Sequence, residues 1–212
     1  MPKRIAVLVS GGGTNLQALI DAQTRGELGG GELCAVIASK PGVFALERAE
    51  RAGIPGYVVA RKDYPSSQAF TAALVDKLRE LDIDLVVLAG FLVILTGEMV
   101  DAFPNAILNV HPALIPSFCG EGCYGLHVHE KALAYGVKVT GATVHFVSEE
   151  CDGGPIVLQK AVDIQEGDDP ETLQRRVMEQ AEWVILPQAV SLFCQGRLRV
   201  EGRTVHILPA QP

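Results

Sequence analysis

The chain has no apolar run approaching the roughly 18 residues needed to cross a bilayer, so no segment reads as a membrane span. It also lacks an excess of positive charge. Eighteen Lys plus Arg stand against 25 Asp plus Glu, a formal charge of −7. That balance speaks against a general nucleic-acid or anionic-membrane surface, so an anionic ligand has to be gripped locally. The opening Met1-Pro2-Lys3-Arg4, followed by a short apolar run, does not have the form of a signal peptide. Five cysteines, Cys34, Cys119, Cys123, Cys151 and Cys194, make an odd set without paired metal-ligand spacing. A disulfide framework is therefore not indicated, and a zinc site built on Cys119-x-x-x-Cys123 lacks its second ligand pair. Internal repeats and low-complexity tracts are missing too. At 212 residues one core suffices without disulfides or a structural metal. These features lead us to expect a soluble, reduced, cytoplasmic protein with no metal.

What the chain does have is alternation. Ile5-Ala6-Val7-Leu8-Val9 is an apolar run suited to a parallel strand buried on both faces, and it ends in Ser10-Gly11-Gly12-Gly13-Thr14-Asn15. Leu16, Leu19 and Ile20 then recur at helical spacing, with Thr14 or Asn15 as the expected N-cap and Gly26 near the stop. The pattern repeats as strand Leu33–Ala38, helix Val43–Ala52, strand Tyr57–Ala60, helix Ser67–Leu81, strand Asp84–Ala89 and strand Ala106–His111. Strands alternating with helices imply a doubly wound α/β fold with a mostly parallel sheet. A loop rich in Pro, Gly and Cys spans 112–125, and a short helix is expected near His127–Tyr135. The β-branched runs Thr140–Val147 and Pro155–Ile164 flank a turn-rich segment, which predicts antiparallel strands in the C-terminal half. Leu173, Val177, Ala181, Val184 and Ile185 form a helical stripe that Pro187 should kink or interrupt. A terminal hairpin is expected around Glu201-Gly202-Arg203.

Two places carry chemistry. A buried strand that turns through Gly11-Gly12-Gly13 into a helix presents unpaired backbone N–H groups and the positive end of the helix dipole, a suitable grip for one phosphate. The segment spells neither a dinucleotide fingerprint nor a P-loop, and a tight turn of small residues would look the same. Asn109 and His111, two apart at a strand end, should project from one face at the carboxyl edge of the sheet. An amide donor beside an imidazole suits acyl transfer, where an oxyanion needs a hydrogen bond and a proton must move near neutral pH. Asp152, set in Cys151-Asp152-Gly153-Gly154-Pro155, is the expected third member and should raise the pKa of His111. With an attacking substrate amine no enzyme nucleophile is required, which makes Cys151 redundant in that role.

These residues resemble the folate-dependent formyltransferases over nearly the whole chain. The likeness is carried by Ser-Gly-Gly-Gly-Thr-Asn-Leu-Gln-Ala-Leu (10–19), Leu-Ala-Gly-Phe (88–91), Leu-Asn-Val-His-Pro-Ala-Leu-Ile-Pro (108–116), Gly-Leu-His-Val-His (125–129) and Asp-Gly-Gly-Pro-Ile (152–156). The amino-terminal loop points to the branch that formylates N1-(5-phospho-D-ribosyl)glycinamide (GAR) with 10-formyltetrahydrofolate in purine synthesis. The resemblance implies a Rossmann-like formyltransferase fold in one domain, 1–212, with residues 1–105 holding the ribonucleotide phosphate and 106–212 the folate and the catalytic groups. By the same likeness Gly13, Thr14, Asn15 and Glu182 contact GAR, and Asn109, His111 and Asp152 are catalytic. The folate pocket would be lined by Leu92, Val93, Ile94 and Leu95 on one wall and by Ser148, Glu149, Glu150, Cys151 and Asp152 on the other, with Asn109 between.

Three departures stand out. Leu92-Val93 occupies the place of a common Met-Arg, and Ser67 that of a basic residue, leaving Arg61 or Lys62 as candidate cations for the folate's glutamate tail. Trp183 replaces a common histidine. The loop bearing Cys119 and Cys123 is longer than its shortest counterparts, and its thiols are expected to be structural or incidental. Competing readings are a formyltetrahydrofolate deformylase, which gives the formyl group to water, and a non-catalytic nucleotide-binding module. Neither nucleic acid nor membrane is an expected partner, and a monomer and a homodimer are equally compatible with the sequence.

Overall fold

The computed structural model describes residues 1–210; positions 211–212 of the expected domain lie outside the described residues. Its strands are β1 (Lys3–Val9), β2 (Gly31–Ala38), β3 (Gly56–Val58), β4 (Leu85–Leu88), β5 (Ile107–His111), β6 (Val139–Phe146), β7 (Ile156–Asp163), β8 (Leu198–Glu201) and β9 (Thr204–Ile207). They form one mixed sheet in the order β3-β2-β1-β4-β5-β6-β7-β9-β8. The five strands from β3 to β5 run parallel, and β6 and β7 reverse direction in turn. The terminal hairpin β8–β9 attaches through a parallel pairing of Ile156 with Thr204. The doubly wound, mostly parallel expectation and its antiparallel C-terminal half are both met.

The helices are α1 (Thr14–Thr24), α2 (Phe44–Arg51), α3 (Ser67–Glu80), α4 (Gly97–Ala102), α5 (Leu126–Tyr135), α6 (Pro170–Val177) and α7 (Trp183–Cys194). Alternation along β1 sorts them into two layers. Ile5, Val7 and Val9 face a core shared with α1, α2, α6 and α7, whereas Ala6 and Leu8 face a second core built on Phe70, Leu74 and Leu78 of α3 and Met99 of α4. Burying each such Val or Leu contributes about 1.5–3 kcal/mol. None of the described helices is long and apolar enough to cross a membrane.

Two local expectations are corrected. Gly13, in the left-handed region at φ 73°, is the N-cap of α1, not Thr14 or Asn15, because the chain must reverse sharply there. Both of those residues lie inside the helix. Pro187 sits within α7 without interrupting it, and the irregularity falls upstream, in a π turn over Met178–Glu182. That wide turn ends beside Trp183, four residues before Pro187, where a proline ring crowds the carbonyl. The six-residue helix α4 is too short to show a period in the sequence.

The chain order reverses between β1 and β4, the switch point at which open α/β sheets leave a crevice beyond the strand ends. Hydrogen bonds tie that edge together. Ser10 N–H donates to the Gly90 carbonyl at 3.2 Å, the Ser10 and Ser39 hydroxyls meet at 2.7 Å, and Leu92 N–H donates to Ser10 Oγ at 3.0 Å.

Candidate active site at the carboxyl edge of the sheet

At the end of β1 the first turn of α1 has no side-chain cap, so its amide groups are left for another acceptor. Gly13 is required there twice over: its φ is left-handed, and a Cβ would stand 2.7 Å from that of Ala45. Asn15 turns inward and donates from Nδ2 to Glu182 Oε2 at 2.7 Å, and Thr14 Oγ1 contacts Met178 Sδ at 3.7 Å. The structure thus brings Gly13, Thr14, Asn15 and Glu182 together. Burial pushes the Glu182 carboxyl up to about 7, against the lowering effect of the Asn15 hydrogen bond.

At the end of β5 the expected trio also converges. His111 Nδ1 lies 3.6 Å from Asp152 Oδ2, and Asn109 Nδ2 lies 3.5 Å from Asp152 Oδ1. Asp152 adopts φ 54°, which swings its carboxylate back over the strand ends, where Gly120 N–H donates to Oδ2 at 2.9 Å. Of the following glycines, Gly154 serves the protein's own backbone, since a Cβ there would collide with the Phe146 carbonyl oxygen.

His145 joins this cluster, and the sequence reading missed it. It stands opposite Asn109 in the antiparallel β5–β6 pair. Its Nδ1 is 2.9 Å from the Phe146 carbonyl and its Nε2 is 3.1 Å from Asn109 Nδ2. With Nδ1–H donating to the carbonyl, Nε2 becomes the acceptor for the Asn109 amide, which fixes which way that amide faces. His145 Nε2 is 3.6 Å from Asp152 Oδ1, past hydrogen-bond range. Strand pairing placed this histidine, and a single sequence gives no signal of register.

The electrostatics correct one expectation. Burial holds the His111 pKa below its usual 6.5, outweighing Asp152 and the Phe118 carbonyl, which both pull it upward. Asp152 thus acts in the expected direction without prevailing. For Asp152 itself burial opposes ionisation, but the His145 and His111 rings and the Gly120 N–H together keep its carboxyl below the ordinary range. His111 Nε2 is 2.9 Å from the Phe118 carbonyl, so the neutral ring carries its proton there and leaves Nδ1 facing the carboxylate.

The Glu149 carboxylate of one expected folate wall reaches to within 3.0 Å of where a Gly97 Cβ would stand, two residues beyond the other expected wall. The strip 92–95 does not present one face, however. Leu92 and Ile94 are 61% and 70% exposed, whereas Val93 and Leu95 pack into the second core beside Phe91. Opposite them, Cys151 and Glu150 are exposed and Ser148 Oγ donates to the Glu150 carbonyl at 3.1 Å. Arg61 donates to the Tyr64 carbonyl at 3.0 Å and lies over the Phe70 ring, which stacks on Phe91; Lys62 is exposed. Among the described residues no group of three or more His, Cys, Asp or Glu is placed to hold a metal ion.

Comparison with known proteins supplies the family. The sequence pattern described as formyl transferase matches residues 3–190. The chain is 41% identical over 205 residues to the phosphoribosylglycinamide formyltransferase of Haemophilus influenzae, covering 97% of this chain and 93% of that one. It is 46% identical over 197 residues, 93% of its length, to the trifunctional purine biosynthetic protein adenosine-3 of Homo sapiens, of which it spans 19%. Among solved structures, glycinamide ribonucleotide transformylase 1 from Symbiobacterium toebii superposes with a TM-score of 0.92 at 47% identity, covering 98% of this chain and 95% of that one. The chain belongs to the formyl transferase family.

Proposed function

We propose that the protein transfers the formyl group of 10-formyltetrahydrofolate to the amine of GAR, as the names of its full-length relatives indicate for them. The observation that carries this reading is the meeting of Asn109, His111, His145 and Asp152 beside an uncapped helix start. β1 and β5 flank β4, so their carboxyl ends stand two strand spacings, about 10 Å, apart. A ligand with a phosphate at one end and a reacting amine at the other, separated by a ribose, fits that span.

In this mechanism the GAR phosphate sits on the amides of Gly13, Thr14 and Asn15, with Glu182 at its ribose side. The amine attacks the formyl carbon directly. Asn109, aimed by His145, donates to the developing oxyanion. Neutral His111 takes the amine's proton at Nδ1, and the adjacent Asp152 carboxylate stabilises the imidazolium so formed. The proton then passes to the folate nitrogen as the carbon–nitrogen bond breaks. The formyl donor lies between Leu92–Leu95 and Ser148–Asp152, with its pterin toward the strand ends. Arg61, lying beside Phe91 through the Phe70 ring, meets the glutamate tail in place of the cations missing at Val93 and Ser67.

The whole forms one formyltransferase domain: residues 1–105 hold the ribonucleotide phosphate and 106–212 supply the catalytic groups, while Glu182 reaches back to the ribonucleotide and Arg61 and Leu92–Leu95 reach across to the folate. Five free thiols fit a reducing cytoplasm. Supplying 10-formyltetrahydrofolate with and without GAR tests the reading. GAR-dependent loss of the donor with appearance of formyl-GAR is the expected result. Loss without GAR would mean a deformylase, and no loss would mean a binding module.

A further inference from the structure

Three of the five thiols lie in the two loops that carry the catalytic cluster, although the transfer chemistry above uses none of them as a reacting group. Cys119 and Cys123 lie in the 112–125 loop, and Cys151 lies in the loop that carries Asp152. The Gly120 N–H to Asp152 hydrogen bond, 2.9 Å long, joins the residues immediately following Cys119 and Cys151. That contact ties the two loops together one residue beyond each cysteine, and Cys119 and Cys123 are close enough for their charges to act on the Cys151 thiol. The Cys119 thiol donates to the Pro116 carbonyl at 3.2 Å and must leave it to reach Cys151. Cys123 N–H donates to the Gly120 carbonyl at 3.0 Å, which turns that residue back toward α5, where Lys131 Nζ donates to its sulfur at 3.1 Å. Cys119 is half-buried, Cys151 is exposed, and all three are free.

We propose that Cys119 and Cys151 are a modification site, a dithiol that a small disulfide of the glutathione class converts reversibly into an intramolecular disulfide, stopping formyl transfer. The exposed Cys151, as thiolate, attacks one sulfur of the small disulfide and releases one equivalent of free thiol. Cys119 then attacks the Cys151 sulfur of the mixed disulfide and expels the second equivalent. Two protein thiols are oxidised, one small disulfide is reduced to two thiols, and these carry away both protons. Burial raises both cysteine thiols above their usual range, as do neighbouring charges including Asp152, so the reaction is slow and responds to sustained oxidation. The bond would fuse the loop bearing Gly120 to the loop bearing Asp152, drawing the Ser148–Asp152 wall and the Asp152 carboxylate away from the positions that formyl transfer needs.

This inference rests on the function proposed above, and its test separates the two. The full chain is incubated with glutathione disulfide, and peptides are mapped without reduction while GAR formylation is assayed. The expected result is loss of two of the five thiols, a peptide joining Cys119 to Cys151, and at least a tenfold fall in activity that dithiothreitol restores. Cys119→Ser should keep its activity through the same treatment, and Cys123→Ser should lose activity as the unmodified chain does. A Cys119–Cys123 bond, no bond, a Cys119–Cys151 bond with full activity, or equal inactivation of Cys119→Ser would each overturn the inference. Mapping needs no activity, so a reduced protein that fails to formylate GAR would count against the proposed function alone.

Discussion

His145 stands directly opposite Asn109 across the antiparallel β5–β6 pair, its Nε2 3.1 Å from the amide nitrogen. Because His145 Nδ1 is engaged with the Phe146 carbonyl, the ring accepts from Asn109 and leaves the second amide hydrogen toward the open cleft. Asn109 Nδ2 is 3.5 Å from Asp152 Oδ1, a long donation that a stronger acceptor in the cleft can replace. Asn109→Ala should therefore lower kcat about 10²–10³-fold, the cost of losing an oxyanion donor. His145→Ala should lower it about 10²-fold by misplacing that donor, and His145→Gln, which still offers an acceptor, should recover part of the loss. Steady-state kinetics on folded variants checks both; a His145→Ala enzyme with normal kcat would remove the ring from the positioning role.

Asp152 and His111 make a pair whose pH behaviour follows from geometry. The carboxylate supports the protonated ring, while burial opposes it more strongly. Replacing Asp152 with Asn removes the supporting charge, so the His111 pKa should fall further and the acid limb of the kcat profile should move to lower pH. Turnover should fall as well, since the imidazolium formed on proton transfer loses its stabiliser. His111→Ala should cost about 10²–10⁴-fold. An acid limb unmoved in the Asp152→Asn protein would show that the two groups titrate independently.

The phosphate cradle depends on Gly13 lacking a side chain. Gly13→Ala meets both a left-handed φ of 73° and the Ala45 Cβ at 2.7 Å. The backbone strain alone costs about 1–2 kcal/mol, and relieving the contact should displace the amides that follow. We expect a lower urea midpoint together with a raised KM for GAR and an unchanged KM for the formyl donor. A KM for GAR equal to that of the unmodified protein would place the phosphate elsewhere.

Glu182 is an acid whose folded-state pKa, about 7, lies above its ordinary 4.5. The neutral form is favoured in the fold, so the associated stability is full below pH 4.5 and is lost as pH rises through 7. The loss amounts to about 3 kcal/mol. Glu182→Gln keeps an acceptor for Asn15 and should abolish this trend, making the variant more stable than its parent at pH 8. Denaturant unfolding at pH 5 and pH 8 measures it, and a variant with the parent's pH dependence would refute the burial argument.

His129 presents the opposite sign. Its ring on α5 is fully buried, neither nitrogen has a partner among the described residues, and burial brings its pKa down to about 4 from 6.5. The neutral ring belongs to the folded state, so stability falls as pH drops from 6.5 toward 4, by about 2 kcal/mol at pH 5. His129→Leu should remove most of that acid sensitivity. Unfolding at pH 7.5 and pH 5.0 gives the comparison, and equal acid sensitivity in both proteins would assign the trend to other groups.

Much of this was written in local order. The alternation of Ile5–Val9 with the Leu16, Leu19, Ile20 stripe was enough to specify a parallel sheet under helices, because periodicity is a property of neighbouring residues. The pairing of Asn109 with His111 on one strand end was legible for the same reason, and so was the glycine turn ahead of α1. Asp152 entered through its turn-forming neighbours. The family motifs then connected these segments to a formyl-transferring site.

What the chain's own order settled is what lies within a few residues: strand, turn, helix, and which side chains share a face. The tertiary structure alone decided that His145 meets Asn109, that Glu182 closes on Asn15, and that burial prevails over Asp152 at His111. Strand register, the approach of a distant helix and the exclusion of water each arise from residues 30 to 170 positions apart, and a local pattern carries no record of separations on that scale.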